Sequence, residues 1–283
     1  MRTTESLTEL QRKACRLRQH IIRMVGVGKA GHIGGSCSCA DLVAALYFRV
    51  MQVDPAQPDK PGRDRFILSK GHAALTLYAA LAERGFFPVA ELDRLKQLGA
   101  MLQGHPDRLR TPGVEANTGS LGQGLSIANG MALAARLDGS DGRMYVILGD
   151  GEINEGQVWE AAMFAAFHRL DHVIAILDRN GLQAMGPTKT RLDTEPLSEK
   201  WRAFGWFVIE INGHDFGQIL DAFNQAKAHR GSPTLILAHT VKGKGISFAE
   251  NNGAFHNGIM NQEQFNLANR ELEAALDGLQ NQP

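Results

Sequence analysis

Leu7, Leu10, Ala14, Leu17, Ile21 and Met24 recur at alternating spacings of three and four. That is one apolar face of a helix, predicted over 5–25. It stops at a glycine-rich stretch, 26–35. A second helix is predicted over 40–51, with Ser38 and Asp41 spaced like a capping box. Three prolines make 54–64 a surface loop. Residues 65–68 read as a short strand, 72–84 as a helix stopped by Gly85, and 88–99 as a short helix opened by Pro88. From there the pattern alternates. Apolar runs at 144–148, 172–177, 206–211 and 233–241 are separated by helical segments at 155–170, 196–204 and 215–229. Short continuous apolar runs between helices predict an α/β fold, a doubly wound, mainly parallel sheet with helices on both faces. An amphipathic helical tail is expected over 261–279, and residues 1–283 read as one domain.

Composition narrows the class. Thirty basic and 30 acidic residues cancel, and 43% of the 283 residues are apolar. A disordered chain or a nucleic-acid binder held by a large positive field is disfavoured. No apolar run reaches the ~18–20 residues that span a bilayer, and the first residues lack a signal-peptide core. Cys15, Cys37 and Cys39 have no zinc spacing and read as small buried residues, so a reducing cytoplasm is the expected address. Glycine is in surplus, at 31 residues. Of these, 23 fall in 26–35, 99–130, 139–156, 181–186 and 243–258, which points to close contact with a ligand rather than to loose loops.

Gly26-Val27-Gly28-Lys29-Ala30-Gly31 fits the dinucleotide fingerprint, but it follows a helix instead of a strand, which argues against a nicotinamide-dependent dehydrogenase. The informative segment is Gly149-Asp150-Gly151, followed after 28 residues by Asn180. Both sit at carboxyl ends of predicted neighbouring strands, where such sheets bind ligands. One carboxylate and one amide oxygen, completed by phosphate oxygens, suit magnesium. Gly151 lets a backbone N–H approach a phosphate, and the next helix presents its N-terminus there.

Gly149-Asp150-Gly151 with Asn180 resembles the thiamine diphosphate signature. Ala30 to Gly35, Leu68 to Ala73, Gln103-Gly104-His105-Pro106, Asn117 to Gly124 and Val241 to Gly245 look like the amino-terminal, cofactor-diphosphate-binding half of transketolase, closest to the split enzymes. The resemblance implies transfer of a two-carbon ketol unit from a ketose (phosphate) to an aldose (phosphate). It implies thiamine diphosphate and Mg2+ (or Ca2+) as cofactors. The matching metal ligands are Asp150, Asn180 and the backbone carbonyl of Leu182. Lys70, His72, Gly119, Ser120, Leu121, Gly151 and Lys242 match cofactor contacts. His32, His105 and His256 match the histidines of the substrate channel, and Glu155 matches a glutamate buried between subunits. Histidine suits such work because hydroxyl protons must move both ways near neutral pH. His20, His168, His172 and His229 have no motif around them and read as ordinary surface or core residues.

Ile33 stands where the family has proline, Ala184 and Met185 where polar residues are common, and Phe255-His256-Asn257-Gly258 where Trp-His-Gly-Lys is usual. The last change, at the sugar end, raises a branched or sulfonated sugar as substrate. The family's glutamate that activates the aminopyrimidine belongs to the pyrimidine-binding half. The resemblance therefore implies a separate carboxy-terminal subunit in an α2β2 assembly, with self-association through the cofactor interface and no nucleic-acid or membrane partner. Two alternatives remain open: the alpha subunit of a 2-oxo acid dehydrogenase, and a non-catalytic paralogue.

Overall fold

The computed structural model describes residues 5–184 and 186–280, so Met185 lies outside the described residues. Five strands form one fully parallel sheet: β1 (Arg65–Leu68), β2 (Met144–Gly149), β3 (Val173–Arg179), β4 (Phe207–Asn212) and β5 (Thr234–His239). Their spatial order is β1-β2-β3-β5-β4. The central strands β2, β3 and β5 are nearly continuous apolar runs because both faces are buried, while the edge strand β4 carries the exposed Glu210 and Asn212. Tyr145, Ile147, Ile174, Ile176 and Ile236 point into one core, and Met144, Val146, Val173, Ala175 and Leu235 point into the other. This alternation is the two-residue period of the pleat.

The first core is closed by α1 (Leu7–Val25), α2 (Ile33–Ser38), α3 (Ala40–Ala45), α4 (Ala74–Arg84) and α8 (Phe216–Ala228). The second is closed by α5 (Gln123–Leu137), α6 (Gly156–Phe167) and α7 (Leu197–Ala203). The doubly wound expectation holds. Ser6 caps α1 by accepting the Glu9 N–H, and Gly85 ends α4 in the left-handed region. The tail forms α9 (Gln262–Gln280) and packs on α1. Among the described residues no helix is long and apolar enough to cross a membrane. All three cysteines are buried and free.

Four local expectations change. Helix α5 has no counterpart in the sequence pattern; Gly124, Gly130 and a run of small residues weaken its apolar period. The segment after Pro88 is only a 3-10 turn, Val89–Arg94. Ser38 and Asp41 form no capping box. Ser38 ends α2 and turns its hydroxyl to Gly35 and Asp178, while Asp41 binds Arg18 and His214. The helix predicted over 40–51 tightens into α3 and then widens to a π-helical turn, Leu46–Val50.

Candidate active site

Every strand of the sheet but β4 delivers a motif at its carboxyl end. β1 runs into Ser69-Lys70-Gly71-His72, β2 into Asp150-Gly151, β3 into Asn180, and β5 into Thr240-Val241-Lys242. These loops line one cavity of about 380 Å³, with Gly119, Leu121, Glu152, Asn154, Glu155, Leu182, Gln183, Ala184, His32 and His256. That volume is in the range of small-molecule sites. The loops pack backbone to backbone. A Cβ at Gly71 would lie 2.6 Å from the Gly119 nitrogen, so only glycine fits there.

Glu152 ties the floor together. It is 2% exposed and accepts from the Ser69 hydroxyl and, at 2.9 Å each, from the N–H groups of Gly122 and Gly149. Its place beside the diphosphate loop is legible in the sequence, but this bracing role is not. Asp178 carries no sequence motif either. It is fully buried and accepts from the Lys70 ammonium and from the hydroxyls of Ser38 and Thr240. Burial pushes its carboxyl up, but Lys70 and the hydroxyl donors outweigh this and hold it below the usual range. The one available signal is a lone acid closing the apolar run of β3. Lys70 therefore lines the cavity, as expected, but its charge is spent on Asp178 and on the Gly35 carbonyl.

The predicted metal ligands converge. Asp150 accepts from Gly181 N–H at 2.5 Å and Gly151 N–H at 2.9 Å, and the Asn180 side-chain oxygen accepts from Leu182 N–H at 3.1 Å. Burial first, and Asp178 second, push the Asp150 carboxyl up to about 6. A buried acid short of cations suits a divalent ion. Among the described residues no three His, Cys, Asp or Glu side chains cluster as a metal site, so such an ion would need phosphate oxygens to complete its shell. The Leu182 carbonyl is nearby but differently engaged: it accepts from the Lys242 ammonium at 3.0 Å. A carbonyl oxygen has two lone pairs, so this contact leaves room for a second partner. Two polar groups of the lining, Asn154 Oδ1 and Gln183 Nε2, are buried without a partner. A diphosphate oxygen would accept from Gln183 Nε2, and a water of its hydration shell would donate to Asn154 Oδ1.

His32, His72 and His256 form a cluster with ring centroids 5.0–5.4 Å apart. A two-residue ladder, Ala30–Gly31 with Gly258–Ile259, brings the first and last of them together. The Lys242 ammonium donates to His256 Nδ1 at 3.1 Å, which leaves the ring proton on Nε2. His105 stays apart. It is exposed and packs over Gly119, its loop anchored by the Tyr78 hydroxyl on the Gln103 and His105 carbonyls. Ser120 and Glu155 are also exposed.

Burial is the first cause holding all three clustered rings neutral. It lowers His32 to about 4 and His256 to about 4, and His72 to about 2 with Lys70 as the next cause. A base whose folded value is depressed contributes stability above its unfolded value that is lost as pH falls. Stability of the cofactor-free chain therefore falls as pH drops below ~6.5. His72→Asn flattens that acid limb in urea titrations at pH 7, 6 and 5; an unchanged slope would refute the assignment.

Residues 11–275 match the family model described as transketolase, thiamine diphosphate binding domain. The chain is 49% identical over 270 residues to a 6-deoxy-6-sulfo-D-fructose transketolase subunit of a Clostridium species, covering 95% of this chain and 98% of that protein. It is 42% identical to an apulose-4-phosphate transketolase subunit of Phocaeicola vulgatus, covering 93% of each. The crystal structure of Campylobacter jejuni transketolase superposes with a TM-score of 0.89 at 30% identity, covering 97% of this chain and 46% of that one. A match of this extent, on a parallel sheet whose strand ends gather the Gly-Asp-Gly loop, Asn180 and the histidine cluster, means that the chain belongs to the transketolase family, as an amino-terminal, thiamine diphosphate-binding subunit that serves ketol transfer in a split enzyme.

Proposed function

We propose that this chain supplies the diphosphate and metal half of an α2β2 transketolase acting on ketoses with an anionic tail. The observation that carries the proposal is the cavity itself: one wall holds Asp150, Asn180, Gln183 and three neutral histidines, while Glu155 beside it is exposed. Asp150 and Asn180 would hold Mg2+ (or Ca2+), and Gly151, Gln183 and Lys242 would face the diphosphate. When bound, thiamine diphosphate supplies an electron sink for breaking a carbon–carbon bond beside a carbonyl. The histidines accept and return sugar hydroxyl protons, which their neutral resting state permits. Relatives of this length are named for a sulfonated and a phosphorylated sugar, which supports the anionic tail.

A partner has an apolar place to sit. Leu137 at the end of α5 and Met163, Phe164 and Phe167 in the second half of α6, the helix that Glu155 precedes, expose large side chains. The buried free cysteines favour a reducing, cytoplasmic setting. Reconstitution tests the reading. With thiamine diphosphate and Mg2+, this chain alone is expected to transfer no ketol unit. Adding the carboxy-terminal chain restores turnover, in a complex of two plus two chains by mass. Ketose turnover by this chain alone sinks the proposal.

A further inference from the structure

β4 is the strand whose carboxyl end carries no motif, yet it brings His214 up behind the site. His214 lies in the turn from β4 to α8, outside the cavity lining, with its side chain 14% exposed. That turn is pressed against the end of β5. The Gly213 N–H donates to the His239 carbonyl at 2.8 Å, and a Cβ at Gly213 would lie 2.5 Å from Thr240 Cγ2. The imidazole then bridges two parts of the chain. Its Nε2 accepts from the Val241 N–H at 2.8 Å, and its Nδ1 is 2.7 Å from an Asp41 carboxylate oxygen. A backbone N–H can only donate, so Nε2 carries the lone pair and the ring proton sits on Nδ1, donated to Asp41.

Asp41 is itself held in place. Arg18 donates to its two oxygens at 2.6 and 3.0 Å, and to the Cys37 carbonyl at 3.1 Å. Burial pushes the Asp41 carboxyl up, but Arg18 and His214 outweigh this and hold it at about 2. An anion anchored between α1 and α3 thus fixes the tautomer of His214, because the hydrogen bond at one ring nitrogen sets the state of the other. The consequence lies one residue beyond Val241. Lys242 is 2% exposed and donates to the Leu182 carbonyl at 3.0 Å and to His256 Nδ1 at 3.1 Å. After it, the Gly243 N–H is tied to the Gly34 carbonyl at 2.9 Å. Lys242 is therefore clamped between two backbone anchors, and the anchor before it is the His214 side chain.

We propose that His214 is a positioning residue: through the Val241 N–H it sets Lys242 against His256 and so keeps the His256 ring proton on Nε2. The inference rests on the ketol-transfer reading above for its effect on rate. Proton transfer by His256 needs that placement, and a displacement of about 1 Å at such a group costs about 100-fold.

Asparagine and glutamine separate the two hydrogen bonds of His214. In His214→Asn the amide N–H takes the place of Nδ1 toward Asp41, and nothing reaches Val241. In His214→Gln the amide oxygen takes the place of Nε2 toward Val241, and the Asp41 contact is lost. Nitrogen NMR of the histidine-labelled full chain reads the His256 tautomer, with His256→Gln assigning its signals. His214→Asn is expected to move both His256 nitrogens toward the averaged shifts of two exchanging tautomers, while His214→Gln keeps the parent pattern. In the assembled two-subunit enzyme, saturated with thiamine diphosphate and Mg2+, His214→Asn is expected to lower kcat about 10- to 100-fold with the ketose KM within about threefold. His214→Gln is expected to stay within about threefold of the parent in both. A His256 pattern or a kcat that His214→Asn leaves unchanged, or a glutamine variant no better than asparagine, overturns the inference, since His214 would then serve Asp41 alone. A parent complex that turns over no ketose overturns the proposed function, and the NMR result then decides the inference by itself.

Discussion

Asp178→Asn is expected to destabilise the chain by about 3–5 kcal/mol, the cost of breaking a buried pair from one side. Asp178 is fully buried and Lys70 is 2% exposed, so the ammonium left behind has no water to turn to. Asparagine keeps the shape and one acceptor oxygen, but it loses the negative charge. Three further contacts loosen with it: the Ser38 hydroxyl at 2.6 Å, the Thr240 hydroxyl, and the Asn180 amide at 3.4 Å. Those groups belong to the end of α2, which follows His32, to the loop before Lys242 and to the Asn180 loop. The double variant Lys70→Met, Asp178→Leu removes both charges at once and is expected to recover most of the loss, since an apolar pair of similar volume replaces the ions. Urea unfolding of the two variants checks this. A single variant as stable as the parent would show that the pair holds nothing together.

Asp150→Asn is expected to leave the fold intact and to remove cofactor binding. Asp150 is 4% exposed and accepts from two loop N–H groups, and an amide oxygen can keep one of them. What cannot be kept is the anionic oxygen that a hard divalent ion requires. Calorimetry with thiamine diphosphate and Mg2+, on the assembled complex, should show affinity down by about 100-fold or more, with an unchanged melting temperature for the metal-free protein. A chelator should reproduce the loss in the parent protein and have little further effect in the variant. Affinity within about threefold of the parent would remove Asp150 from the metal site and leave Asn180 without its partner.

These two aspartates differ in how far they are legible. Asp150 stands in Gly149-Asp150-Gly151 at the end of an apolar run, and both the strand and the motif are local patterns. The parallel sheet is legible for the same reason, because strands buried on both faces must be apolar at every position. Helix α5 is not, because its buried face is made largely of small residues, Gly124, Ala128 and Ala132, which leave little apolar contrast to read. Asp178 lies 108 residues from Lys70 and 140 from Ser38, so no local period marks their meeting.

The amino-acid sequence by itself determined the strand runs, the helix capped by Ser6, and the Gly149-Asp150-Gly151 turn and Asn180 at strand ends, all of which follow from local patterns. The histidines of the cavity are legible only through the family resemblance. Only the tertiary structure decided how the charges are shared. It set Lys70 against Asp178 and turned Lys242 to the Leu182 carbonyl and to His256. A charge chooses its partner by distance and burial in the folded state, and the sheet sets both by bringing the ends of distant strands to one edge.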